Sequence, residues 1–216
     1  MDAFVVGSVT MLEVLAVFVS AVSGGLAAVR KRFDAFGVLV LAWVAGLGGG
    51  VLRDLLIGDT PPVGVSSWRL VVAALAAGVL IFFFHPGLER MRRTVLVLDA
   101  AAMALFVLQG TTKALGLGSG VLTAVVVGVL TAVGGGILRD VLTGEVPLVF
   151  ADRQLYAVPA LVGAGLVAAL WRLELLAPWN AVLVVVLVFA FRMLSVARGW
   201  AVPPAGPGWT ARWGRG

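Results

Sequence analysis

The stretch Gly48-Gly49-Gly50-Val51-Leu52-Arg53-Asp54-Leu55-Leu56-Ile57-Gly58-Asp59-Thr60-Pro61 decides the fold, because it occurs twice. Eighty-six residues later the chain reads Gly134-Gly135-Gly136-Ile137-Leu138-Arg139-Asp140-Val141-Leu142-Thr143-Gly144-Glu145-Val146-Pro147. Nine of the 14 positions are identical, and Val51/Ile137, Leu55/Val141 and Asp59/Glu145 are conservative. The same ungapped offset pairs Gly24 with Gly110, Ala28 with Ala114 and Glu13 with Asp99. Chance similarity between apolar segments aligns Leu with Val; it does not bring Gly-Gly-Gly, Arg-Asp, Gly and Pro into register. The chain therefore carries an internal duplication.

Both copies lie in apolar surroundings. Of 216 residues, 61% are hydrophobic and only 12% charged, where a soluble domain has about a quarter charged. Apolar runs cover about 4–29, 35–56, 68–84, 94–112, 120–142, 154–171 and 178–196. Seven spans of about 20 residues use about 140 positions. Too few residues remain for a large extramembrane domain, and the apolar fraction excludes disorder. The first run lacks a basic stretch ahead of it and is too long for a signal-peptide core, so it is expected to be retained as a span.

The expected fold is an all-α polytopic membrane protein with seven transmembrane helices. A three-span unit, about 4–86, recurs at about 90–172, and an extra helix follows at about 178–197. Three is odd, so the second copy enters from the opposite side and the repeats are inverted. Residues 1–197 form one transmembrane domain and 198–216 a flexible cytoplasmic tail. Trp200, Trp209 and Trp213 in that tail suit the headgroup layer, as an alternative to a tail without a role.

The formal charge is +5 and the isoelectric point about 11.0. In a soluble protein this balance suggests nucleic acid. Here the basic residues flank apolar runs and act as orientation signals, so no nucleic-acid partner is expected. Twelve of the 16 Lys and Arg fall on the face holding the loops after spans 1, 3 and 5 and the C-terminus. That asymmetry puts the C-terminus in the cytoplasm and the N-terminus outside. Cysteine is absent and His85 is the only histidine, so no disulfide, zinc or other cofactor is expected. With no nucleophile–base pair either, an enzyme is not expected.

Inverted repeats are common in proteins that move solutes along the repeat interface. Gly48, Gly49, Gly50 and their counterparts Gly134, Gly135, Gly136 cost a helix about 1 kcal/mol each relative to alanine. Two uses are open. The triplets break or kink a pore-lining helix and bare its carbonyls to cations, or they let helices pack closely. Arg53, Asp54, Arg139 and Asp140 follow their triplets by one turn. The aspartates can attract cations while the arginines hold them or gate the path; otherwise the doublets are interfacial helix ends with snorkelling arginines. Lys113 is a gate or voltage-sensitive charge, or snorkels outward. Glu13 and Asp99 are cavity acids or interfacial ones. Ser20, Ser23, Thr111 and Thr112 line a path or bond back to their own helix. Arg90, Arg92 and Arg93 bind anionic lipid headgroups or signal topology.

Two copies of Gly-Gly-Gly-x-x-Arg-Asp-x-x-x-Gly-x-x-Pro on spans 2 and 5 of such a chain resemble the prokaryotic trimeric intracellular cation (TRIC) channel family. The match covers about residues 10–195. The resemblance implies a homotrimer in the bacterial inner membrane, with one ion path per protomer bounded by kinked spans 2 and 5. It implies passage of monovalent cations, potassium above all. Lys113 looks like the span-4 basic residue linked to gating in eukaryotic relatives. Related bacterial sequences have been proposed to carry small amino acids such as glycine, so a secondary transporter is the rival. A third alternative is a scaffold whose helices merely pack through glycine.

Overall fold

A computed structural model describes residues 3–85, 88–151 and 155–200. Among them it forms nine helices: α1 (Ala3–Arg30), α2 (Ala35–Ile57), α3 (Val63–Ser66), α4 (Trp68–Phe83), α5 (Leu88–Gly116), α6 (Val121–Leu142), α7 (Leu148–Ala151), α8 (Ala157–Arg172) and α9 (Pro178–Arg198). The order α1 to α4, long–long–short–medium, recurs as α5 to α8.

Five helices are long and apolar enough to cross a bilayer, within α1, α2, α5, α6 and α9. The other two expected spans are shorter. α4 and α8 each have 16 residues, about 24 Å of helix. The duplicated motif explains the difference. After each Gly-x-x-Pro stop the chain spends a turn on α3 or α7, which the apolar runs did not reveal, before the next helix begins.

Local chemistry sets the ends. The Asp34 side chain accepts from Gly37 N at 2.8 Å and caps α2, taking one of the amides that a helix start leaves unpaired. Gly58 closes α2 in the left-handed region, φ 73°, and Gly144 repeats this after α6 at φ 69°. Glycine is the residue that takes this conformation without Cβ strain.

α1, α2, α5 and α6 form the centre, packed as α1 on α2, α5 on α6, α1 on α5 and α2 on α6. α4 leans on α1 and α2, and α8 correspondingly on α5 and α6. α9 has no counterpart and packs against α5 and α8. The core is small-residue and tight, with Ala16, Ala42, Ala77, Ala102, Met103, Phe106 and Ala164 in one cluster. Outward faces are apolar, as at Phe82, Leu161, Val182, Leu183 and Leu187. This surface suits lipid and not water.

Which ends meet follows from the ion pairs. The end of α1 meets the loop after α6, through Arg30 Nη2 to Glu145 Oε2 at 2.6 Å and Lys31 Nζ to Glu145 Oε1 at 3.1 Å. The end of α5 meets the loop after α2, through Lys113 Nζ to Asp59 Oδ2 at 2.6 Å. Asp59 and Glu145 are repeat counterparts.

α9 continues to Arg198, and Trp200 N donates to Ser195 O at 3.0 Å while Trp200 O accepts from Leu155 N at 3.2 Å. The start of the expected flexible tail is thus tied to the bundle. Trp209, Trp213 and the rest of 201–216 lie outside the described residues, as does Arg153.

Candidate functional site

Each glycine of the triplets faces a specific neighbour. Both triplets lie inside continuous α-helix, so the expected departure from helical backbone is absent. A Cβ on Gly49 would overlap the carbonyl oxygen of Thr131, and one on Gly135 the carbonyl oxygen of Ala45. Ala45 and Thr131 are themselves repeat counterparts, so α2 and α6 cross through one reciprocal contact. The first glycines admit the other copy's leucine: Leu138 Cδ1 stands 2.6 Å from a Cβ built on Gly48, and Leu52 Cδ1 2.9 Å from one on Gly134. The third glycines clear room beside the arginines, under Val63 at Gly50 and under Asp99 and Tyr156 at Gly136. The small-residue packing alternative accounts for all six.

The Arg-Asp doublets are buried in the protein, and their arginines do not snorkel: Arg53 and Arg139 are each 2% exposed and Asp54 0%. Arg53 Nε donates to Asp54 Oδ1 at 2.8 Å, and Arg139 Nε to Asp140 Oδ1 at 2.8 Å. The second carboxylate oxygen of each aspartate ties down the short helix that follows. Asp54 Oδ2 accepts from Val63 N at 2.9 Å, and Asp140 Oδ2 from Leu148 N at 3.0 Å. These carboxylates, expected to attract a passing cation, are occupied by the protein itself. A buried carboxylate needs such partners to stay charged.

The acids that face the arginines are Glu13 and Asp99, as their repeat relation implied. Glu13 Oε1 lies 3.5 Å from Arg53 Nη2. Asp99 Oδ1 accepts from Arg139 Nη1 at 2.8 Å, and Ser23 Oγ lies 2.6 Å from the same nitrogen. Lys113 does not snorkel away: its Nζ sits 2.7 Å from Asp54 Oδ1. Ser20 Oγ donates to Ala45 O at 2.8 Å, at the α2–α6 crossing. Thr112 bonds back to Leu108 O at 2.8 Å on its own helix. Arg92 and Arg93 are exposed, while the side chain of Arg90 lies outside the described residues.

Two residues escaped the sequence argument. Tyr156 is the only tyrosine in the chain, and its hydroxyl donates to Asp99 Oδ2 at 2.7 Å. Arg192, within the last apolar run, is one of the twelve basic residues on the side expected to be cytoplasmic. It is 2% exposed, with Cζ 4.6 Å from the centre of the Tyr156 ring. A lone arginine inside an apolar run was the available signal, since such a charge turns inward to a partner.

Among the described residues, the ion pairs around Arg53 and Lys113 hold one more carboxylate than cation, whereas in the second half Arg192, joined to Asp99 through Tyr156, brings cations and carboxylates into balance. Arg53 and Lys113 face Glu13, Asp54 and Asp59; Arg139 faces Asp99 and Asp140. The separate Glu145 pair with Arg30 and Lys31 holds the reverse. Among the described residues, no three His, Cys, Asp or Glu side chains are grouped to hold a metal ion.

The fold and these buried networks define a helical, multi-span membrane protein built on a duplicated segment. The chain belongs to the family described as glycine transporter, which matches residues 10–86 and again 96–172, at the 86-residue offset of the motif. A "UPF0126 membrane protein" of Deinococcus radiodurans is 46% identical over 163 residues, 75% of this chain and 74% of the relative. The "UPF0126 inner membrane protein YadS" of Escherichia coli is 39% identical over 153 residues, 70% of this chain and 73% of the relative. Crystal structures of the TRIC trimeric intracellular cation channel orthologue from Rhodobacter sphaeroides share this fold. The TM-score is 0.83 at 36% identity, over 89% of this chain and 98% of that one. The expected likeness to prokaryotic TRIC channels is therefore present along nearly the whole chain.

Proposed function

We propose that this protein is a cation channel that passes monovalent cations, potassium among them, down their gradient, as a homotrimer with one path per protomer. The likeness to a TRIC cation channel orthologue over nine-tenths of the chain carries this reading. The excess carboxylate around Arg53 and Lys113 supports it, because a net negative wall favours cations. The path follows the crossing of α2 and α6, flanked by α1 and α5, with one Arg-Asp network towards each end. The glycines Gly48–Gly50 and Gly134–Gly136 hold α2 and α6 together by close packing and so set the narrow waist that the path runs beside. Arg53 and Arg139 hold Asp54 and Asp140 in place. Lys113 bridges Asp54 and Asp59 and gates that end.

Seven spans are formed by α1, α2, α4, α5, α6, α8 and α9, with the two repeats inverted. The opposed sense of α1 and α5 supports this: the end of one and the start of the other both meet the Arg139 side of the molecule. The C-terminus faces the cytoplasm, the N-terminus the outside, and the membrane is the bacterial inner membrane.

The rival is a secondary transporter for a small zwitterion such as glycine, favoured by the family description that matches both halves. Planar-bilayer recording of the purified protein decides between them. The channel predicts unitary potassium currents, and Lys113→Met raises their open probability. Silent bilayers together with saturable glycine uptake into proteoliposomes would establish the transporter instead.

A further inference from the structure

The two halves part from their symmetry along one buried line of side chains. It starts on α9 with Arg192, whose guanidinium lies over the Tyr156 ring at 4.6 Å and whose Nη1 donates to Leu155 O at 3.4 Å. It passes through the Tyr156 hydroxyl to Asp99 Oδ2 at 2.7 Å, and from Asp99 Oδ1 to Arg139 Nη1 at 2.8 Å. It ends on α1 at Ser23 Oγ, 2.6 Å from Arg139 Nη1. All five residues are buried. Among the described residues, the first half has no such line. The counterpart of Tyr156 is Leu70, a buried residue without a donor. The counterpart of Asp99 is Glu13, partly exposed and 3.5 Å from Arg53. α9, the source of the arginine, packs against the second half's α5 and α8.

We propose that Tyr156, seated by Arg192, is a positioning residue: a latch that fixes the Asp99–Arg139 pair and keeps the Arg139 end of the path closed. The latch rests on the channel reading. A buried carboxylate with a separate donor on each oxygen has no freedom to turn. Without the phenol, Oδ2 is left buried and unpartnered, and the group relieves that by swinging towards water or the path. A cation over the ring face is attracted to its electrons and draws them from the hydroxyl, which makes the phenol a stronger donor. The non-repeated helix thereby holds the Arg139 end of a duplicated pathway whose other end is bridged by Lys113.

The test uses Tyr156→Phe, which keeps the ring under Arg192 and removes the donor. In planar bilayers the open probability is expected to rise about ten-fold, the effect of one hydrogen bond to a buried charge, with unitary conductance unchanged. A second readout needs no current. The chain has no cysteine, so Ser23→Cys reports exposure of the latch, and Gln109→Cys reports the same position in the other half. A small cationic methanethiosulfonate reagent is expected to modify the Ser23→Cys thiol about ten-fold faster when Tyr156→Phe is added, with the Gln109→Cys rate unchanged. Unchanged rates at Ser23→Cys would overturn the latch. So would equal acceleration at both thiols, which is the sign of a merely loosened fold. If the parent protein carries no unitary current, the channel reading falls, and the paired thiol rates alone decide the latch.

Discussion

Gly49 and Gly135 are each shaped by a carbonyl oxygen of the other copy. Backbone does not mutate away, and a carbonyl inside a helix cannot turn aside, so overlap there has to move a whole helix. Gly49→Ala is expected to destabilise the protein by at least about 1–3 kcal/mol, the usual cost of overpacking. Gly165, in the middle of α8, meets no atom within 4 Å of a built Cβ. Gly165→Ala is expected to be neutral or to gain up to about 1 kcal/mol from helix propensity. Thermal unfolding in detergent compares the two, and equal effects would remove the packing account of the triplet. The triplets were legible as a repeated feature; their purpose was not, because propensity marks glycine as a helix breaker whatever lies opposite it. Lys113 was ambiguous for the same reason. Its partners Asp54 and Asp59 are more than 50 residues distant, and only the helix crossing brings them near.

At the level of helices and the loops between them, the long elements were legible from apolar run length, and most ends fell within a few residues of expectation. α5 is the exception: it extends back to Leu88, past Arg92 and Arg93, because a helix leaving the apolar layer has no reason to stop where hydropathy does. α3 and α7 were not legible, since a four-residue helix has no periodicity to read. What holds them is the far oxygen of Asp54 or Asp140, eight or nine residues back. The loop after α6 is held differently, through Glu145. Partial burial pushes that carboxyl up, but the Lys31 and Arg30 cations beside it outweigh this and hold it below the usual carboxylate range. A carboxylate held low stabilises the folded chain at pH above its ordinary value and loses that contribution as the pH falls through the lowered one. The pair is substantially exposed, so its worth is about 0–1 kcal/mol. Wild type is therefore expected to melt slightly above Glu145→Gln at neutral pH, and the gap to close in acid or in concentrated salt. A gap that ignores both pH and salt would show that the pair contributes nothing electrostatic.

Across the whole molecule, the asymmetry of Lys and Arg leads to an expected orientation, yet the twelve residues counted for it include Arg192, which belongs to the interior of the protein. Sidedness is open to direct measurement in a chain without cysteine. Single cysteines at Ser66 and Ser119 are expected to react with an impermeant thiol reagent from the outer face of intact cells. Cysteines at Arg32 and Arg93 are expected to react only after the membrane is opened. Reaction of all four from one side would reject the inverted arrangement. The reciprocal crossing has a further consequence. Gly49 presents its vacancy to residue 131 and Gly135 to residue 45, which is how two copies of one chain meet in a self-complementary dimer. The protein thus has the form of a homodimer written as a single polypeptide. The copies differ where their neighbours differ, at Ala27 and Lys113, Ser23 and Gln109, Leu70 and Tyr156. At the crossing both keep glycine, because each half's backbone is the mould for the other's.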